Sequence, residues 1–164
     1  MTPEDLVEIE QIKRLKYKYL RCLDQKLWDE IRECFTPDAT AAYSGGKYSY
    51  DGADAIVEFL QKSMGADSFH SSHQVHHPEI ELTSPTTATG VWALEDTVIE
   101  TQWEITIRGA AFYEDRYRKE GGDWKIEHTG YRRTYEEIQQ RKQQPGLELT
   151  ASWWSTGGKS DIDA

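Results

Sequence analysis

The 164-residue chain carries 29 acidic against 19 basic residues, a formal net charge of −10. That excess argues against nucleic acid and anionic membrane surfaces as partners. Hydrophobic residues reach 37%, enough to give a chain of this length one real core. No signal-like leader and no run of 18 apolar residues occurs, so the expected address is the cytoplasm. Six Trp and nine Tyr suggest either a large core or a pocket for a flat apolar ligand.

Thr2-Pro3-Glu4-Asp5 opens a helix: Thr2 can cap, Pro3 suits the first turn, and the carboxylates complement the dipole. Leu6, Ile9, Ile12, Leu15, Tyr19, Cys22 and Leu23 then recur at helical spacing to about residue 24. Tyr19 lies on that stripe and Asp24 at its end. A shorter helix carries Leu27, Ile31, Cys34 and Phe35 and stops at Thr36-Pro37-Asp38. Cys22 and Cys34 occupy apolar helix positions and are expected as buried free thiols. Ala39–Tyr43 and Lys47–Tyr50 flank Ser44-Gly45-Gly46, a hairpin signal that places Tyr43 just before the turn. Asp54 is expected to cap a third helix containing Ile56, Phe59, Leu60 and Met64.

Four of the five histidines fall between His70 and His77. On a helix, His73, His76 and His77 would share a face suited to a metal. But Ser71-Ser72 is poor helix interior, Pro78 follows at once, and Ile80 and Leu82 alternate with polar residues, so the segment reads as a strand. His73, Val75 and His77 would then face one way, with His73 and His77 roughly 13 Å apart, too far to share one ion. No metal site is expected, and acid–base chemistry is the remaining use of histidine near neutral pH.

Thr86–Thr101 is the longest strand pattern. Ala88, Gly90, Trp92, Leu94, Asp96 and Val98 form its more apolar face, where a carboxylate needs a partner or a task. Ala110–Lys119 follows with Tyr113 and Tyr117 in register, then Trp124–Tyr135 with Ile126, His128, Gly130 and Arg132 on one face and Tyr131 and Arg133 on the other. Glu136–Gln144 reads as a short polar helix. The domain is bounded at 1–144, with a Ser/Thr/Gly-rich tail at 145–164 whose Trp153-Trp154 pair is expected to dock on its own domain or on a neighbouring subunit. Helices grouped before an antiparallel meander indicate an α+β fold, and a strongly bent sheet over its helices would leave a conical pocket.

This order resembles the NTF2-like superfamily, in particular its SnoaL-like branch with scytalone dehydratase and the bile-acid 7α-dehydratases. The residues that carry the likeness are Tyr19 with Asp24 five positions on, Phe35-Thr36-Pro37-Asp38-Ala39, His73 in Ser-Ser-His-Gln-Val, Gly90-Val91-Trp92, and Trp124 through Arg133. They span about residues 5 to 140. The resemblance implies a cone-like α+β barrel of cystatin/NTF2-like type, three N-terminal helices on a strongly curved, mostly antiparallel sheet, assembled as a homodimer or homotrimer. It implies a cofactor-independent dehydratase, a hydro-lyase acting on a small apolar ring-bearing substrate such as a steroid or polyketide ketone.

Carried over by position, the likeness makes Tyr19, Asp24, His73 and Asp96 the catalytic set. His73 would be the acid–base held by Asp24, Tyr19 and Tyr43 donors to the carbonyl oxygen, and Asp96 an aid at the leaving hydroxyl or an orienter of His73. Scytalone dehydratase has a second histidine where Asp96 stands, which puts this position nearer the bile-acid enzymes. The C-terminal arginine of the latter matches Arg132 or Arg133. Trp92, Tyr113, His128 and Arg132, with Trp103 as a further aromatic candidate, would line the substrate pocket. Two other readings stay open: a ketosteroid-isomerase-type isomerase or cyclase using Asp24 or Asp96 as base, and a binding protein without chemistry.

Overall fold

A computed structural model describes residues 1–162. Helix α1 (Pro3–Gln25) opens with a capping box: Thr2 Oγ1 accepts the Asp5 N–H and Asp5 Oδ2 accepts the Thr2 N–H. It ends on Lys26 in the left-handed conformation, whose N–H returns to the carbonyls of Cys22 and Leu23. Its buried face is Ile12, Lys16, Tyr19, Leu20, Cys22 and Leu23. Helix α2 (Trp28–Arg32) and the hairpin of β1 (Phe35–Tyr43) and β2 (Tyr48–Asp51) follow, then α3 (Ala53–Met64). The cap of α3 is Gly52, at φ 91°, and not Asp54, which is the second residue of the helix's first turn and pairs with Arg32 of α2.

Four long strands complete the chain: β3 (Phe69–Ser84), β4 (Thr87–Glu100), β5 (Ile105–Glu120) and β6 (Asp123–Gln140). They form one six-stranded sheet in the order β2-β1-β6-β5-β4-β3, antiparallel except where β1 runs parallel to β6. The architecture is α+β, three helices on a mostly antiparallel curved sheet, and the core lies between α1 and the sheet's inner face.

The expected helix over 136–144 does not form. Glu136–Gln140 extends β6 by pairing with Ile105–Gly109 of β5, and only a single 3-10 turn, Arg141–Gln143, follows. The helix propensity of Glu-Glu-Ile-Gln-Gln gives way to a ready-made ladder of backbone partners.

Three bulges decide which side chains face inward. One lies between Arg133 and Tyr135 in β6, where Thr134 is the extra residue and Glu136 and Ile138 come to the inner side. In β3 the pairing shifts between His76 and Glu79, with His77 at φ 29°. Ser71, His73 and Val75 point in before it, and Ile80 and Leu82 after it. His77 is therefore exposed rather than sharing the face of His73. In β6 the pairing shifts between Ile126 and His128, so Glu127 is the extra residue. Thr129, Tyr131 and Arg133 face the interior, whereas His128 and Arg132 fall on the outer face.

Candidate active site

The inner face is a series of rungs, each formed by residues paired across neighbouring strands. One rung is Trp92, Tyr113 and Tyr131; another is Val75, Leu94, Ala111 and Arg133; the next is His73, Asp96, Gly109 and Glu136. Helix α1 packs on this face, with Lys16 over Tyr113 of the first rung and Asp24 bonded to His73 of the last.

Asp24 and His73, 49 positions apart, meet by two contacts, and Ser71 adds a third to the carboxylate. Asp24 Oδ1 lies 2.6 Å from His73 Nδ1, and Oδ2 accepts the His73 backbone N–H at 2.9 Å. The Ser71 hydroxyl donates to Oδ1 at 2.8 Å. The backbone contact locks the carboxylate to the edge strand, and the Nδ1 contact orients the ring so that Nε2 is the nitrogen turned away from Asp24. Among the described residues nothing bonds to Nε2, and the imidazole is 10% exposed.

Asp96 stands directly across β3–β4 from His73. It makes no bond to the imidazole; Arg133 clamps both of its oxygens, with Nη2 to Oδ2 at 3.0 Å. Arg133 Nε also lies 3.0 Å from Glu136. Arg133, not Arg132, is thus the interior arginine, because the Glu127 bulge reverses the alternation between them.

Tyr19 and Tyr43 are buried with their hydroxyls 3.2 Å apart. Burial pushes both phenols above their ordinary pKa, so both remain protonated donors. One of the two protons is spent within the pair; the other is available to an oxygen placed beside it. Trp92 and Tyr113 are buried on the inner face, Tyr113 edge-on to Tyr131. His128 bonds Thr40 Oγ1 at 2.6 Å on the outer face, and partial burial lowers its pKa. Trp103 is 70% exposed in the β4–β5 connection. Neither joins the interior group.

Below the tyrosines lies a cluster that composition and motif both missed. Lys16, with no exposed surface, places Nζ 2.7 Å from Asp115 Oδ2 and 3.4 Å from the centre of the Tyr113 ring. Asp115 also accepts from the Tyr117 and Thr129 hydroxyls, each at 2.7 Å. Tyr117 in turn accepts from Trp92 Nε1 at 2.9 Å. Burial lowers the Lys16 pKa, and Asp115 opposes that shift. The signals were present: Lys16 lies on the apolar stripe of α1, and Asp115 stands between Tyr113 and Tyr117 in the inward register.

The tail packs back on the domain. Ser152 is buried against His70 Nε2 at 2.9 Å, and Lys26 Nζ lies 4.0 Å above the Trp154 ring. Trp153 is 62% exposed. Among the described residues no helix is long and apolar enough to cross a membrane.

Comparison with solved structures agrees with this architecture. A provisionally assigned scytalone dehydratase from Novosphingobium aromaticivorans superposes with a TM-score of 0.77 at 22% identity, covering 98% of this chain and 100% of that one. A hexachlorocyclohexane dehydrochlorinase, LinA-type3, from Novosphingobium barchaimii gives 0.75 at 17% identity, covering 88% and 95%. At such identities the likeness establishes the fold. The family model described as a SnoaL-like domain matches residues 4–130, from the first turn of α1 into the first half of β6, and the chain therefore belongs to the SnoaL-like, NTF2-like family.

Proposed function

We propose that the protein is a cofactor-independent lyase that eliminates water from a hydroxylated cyclic ketone. The observation that carries this reading is the Asp24–His73 pair, with Nδ1 held by a carboxylate and Nε2 unengaged. His73 Nε2 takes the acidic proton beside the carbonyl, and its electron pair moves into the enolate. Asp24 stabilises the imidazolium. A tyrosine hydroxyl from the Tyr19–Tyr43 pair donates to the enolate oxygen, a contribution of about 3 kcal/mol for one well-placed donor. The imidazolium then returns its proton to the hydroxyl, which departs as water as the enolate collapses to the enone. The Arg133–Asp96 pair opposite His73 supplies a fixed polar wall for the leaving oxygen. Two of the structural neighbours carry names that denote eliminations, of water in one case and hydrogen chloride in the other.

The isomerase reading needs a free carboxylate as base. Asp24 already accepts three hydrogen bonds, and both oxygens of Asp96 face Arg133, so neither is poised for that role. Self-association as a dimer or trimer belongs to the same proposal: Val91 and Phe112 are exposed on the outer sheet face, and sedimentation velocity tests it.

The experiment for the reaction is a panel of hydroxylated cyclic ketones followed by enone absorbance. His73→Ala is expected to lose about 10³-fold in kcat, and Asp24→Asn about 10²-fold or more. Equal turnover by wild type and both variants overturns the mechanism.

A further inference from the structure

Beyond the His73–Asp96 rung the inner face continues toward the end of the sheet. The next rung is Ser71, Val98, Ile107 and Ile138. Helix α1 stops at Gln25, beside Asp24, so its cover runs out here. Val98 is buried, Ile107 half-buried and Ile138 60% exposed, although all three point to the inner side. An apolar shelf of three β-branched side chains therefore adjoins the imidazole, one rung or about 7 Å further along the strands.

The charges around this shelf share one property. Among the described residues, each cation on the inner face already has a carboxylate: Lys16 has Asp115, and Arg133 has Asp96 and Glu136. Lys26, at the end of α1, donates to the Ala66 carbonyl, lies over the Trp154 ring, and has the carboxylates of Asp67 and Glu100 as its nearby opposite charges. Asp24 and the negative end of the α1 dipole face the same space. A ligand anion entering here would lose its hydration and meet no unspent positive charge.

We propose that the site takes a ring-bearing ligand without negative charge, which lays its apolar body on Ile107 and Ile138 with its reacting end at His73. This rests on His73 marking the ligand site, as the proposed elimination requires. It adds the selection rule: carboxylated or phosphorylated compounds of the same shape are excluded.

The test is a binding titration of the full chain with 2-acetylnaphthalene and 2-naphthoate, which match in shape and differ in charge. The neutral ketone is expected to bind tenfold or more tighter than the carboxylate, following the cost of desolvating an unpaired charge. Ile138→Ser is expected to weaken the ketone several-fold, and Ile138→Lys to narrow the gap by admitting the carboxylate. Equal affinity for the two probes, no saturable binding of either, or an Ile138→Ser protein that binds the ketone like wild type overturns the proposal. So does an Ile138→Lys protein that changes only its oligomeric state, since a second copy would then be what covers the shelf. The titration reads binding and not turnover. A protein that binds the ketone but eliminates nothing sinks the dehydratase reading alone, whereas one that dehydrates carboxylated and neutral ketones equally well sinks the selection rule alone.

Discussion

Gly109 stands directly across β4–β5 from Asp96, and its missing side chain is the gap through which Arg133 on β6 reaches that carboxylate on β4. A Cβ there would lie 2.9 Å from Arg133 Nη1 and 2.8 Å from the Tyr135 carbonyl oxygen. The guanidinium can swing away, but the backbone oxygen can move only with the strand. Gly109→Ala is therefore expected to cost about 1–3 kcal/mol through overpacking. For a domain of this size that lowers Tm by about 2–4 °C per kcal/mol. The proposed water loss should fall more than stability does, because Arg133 no longer clamps Asp96 opposite the imidazole. Calorimetry and enone assays on one preparation check it, and a variant with wild-type Tm and turnover would show that the gap is not needed.

The Lys16–Asp115 pair makes a second expectation. Lys16→Met leaves Asp115 ionised in the core with two hydroxyl donors and no counter-charge, a loss of about 3–5 kcal/mol. Adding Asp115→Asn removes the stranded charge while an amide can still meet Tyr117 and Thr129. The double variant should thus recover much of the loss, and a urea-unfolding double-mutant cycle should show strong coupling. Additive losses would mean that the two charges do not support one another.

What the sequence disclosed and what it hid follow from where the chain breaks its own period. The inward face of β4, from Ala88 to Val98, could be read directly, because alternation runs unbroken along that strand. Tyr19, Asp24 and His73 were legible for the same reason: a clean helical stripe with a polar residue at its end, and a strand segment read before the β3 bulge. One inserted residue, Glu127, was enough to exchange Arg132 for Arg133 and to send His128 outward, and no local signal marks it. The helix expected after Tyr135 was lost to pairing partners 27 to 35 residues earlier in the chain, from Gly109 opposite Glu136 to Ile105 opposite Gln140. The α3 helix starts earlier than a side-chain cap by Asp54 would allow, and that carboxylate faces Arg32 of α2, a partner distant in sequence.

Alkaline pH should weaken the fold, and the sign follows from burial. Tyr19, Tyr43, Tyr113 and Tyr117 are all raised above their ordinary value, each chiefly by burial. Cys34 is pushed up to about 12 by the same cause. In the unfolded chain these groups release protons first, at their ordinary values near 10 and 8.5. The folded state then holds more protons than the unfolded one, so stability is fully present below that range and declines as pH rises through it. A pH series of urea melts should show the decline from about pH 9 upward, following the thiol and phenol values. The four phenols should ionise in one step, together with loss of circular dichroism. Tyrosinate signal from all nine tyrosines in a protein that keeps its far-UV spectrum would contradict the burial of these rings.

The tail is held by an arrangement that fixes hydrogen positions. Ser152 Oγ accepts the N–H groups of Trp154 and Ser155 at 3.1 and 3.2 Å, which leaves its own proton to donate to His70 Nε2. His70 must then carry its proton on Nδ1, where the Ser68 carbonyl accepts it at 3.1 Å. Ser152→Ala removes the acceptor of two backbone donors and the donor to the ring together. Trp154→Ala removes the ring under Lys26, a contact of about 0.5–1 kcal/mol at a partly exposed site. Either change should loosen residues 147–162 without unfolding the sheet. Trypsin cleavage after Lys142 and Lys159 should accelerate several-fold for each variant and by about tenfold or more for the pair, since local opening governs cleavage. Mass spectrometry of the time course reads this directly, and cleavage at the wild-type rate in the double variant would show that the tail is anchored by other contacts.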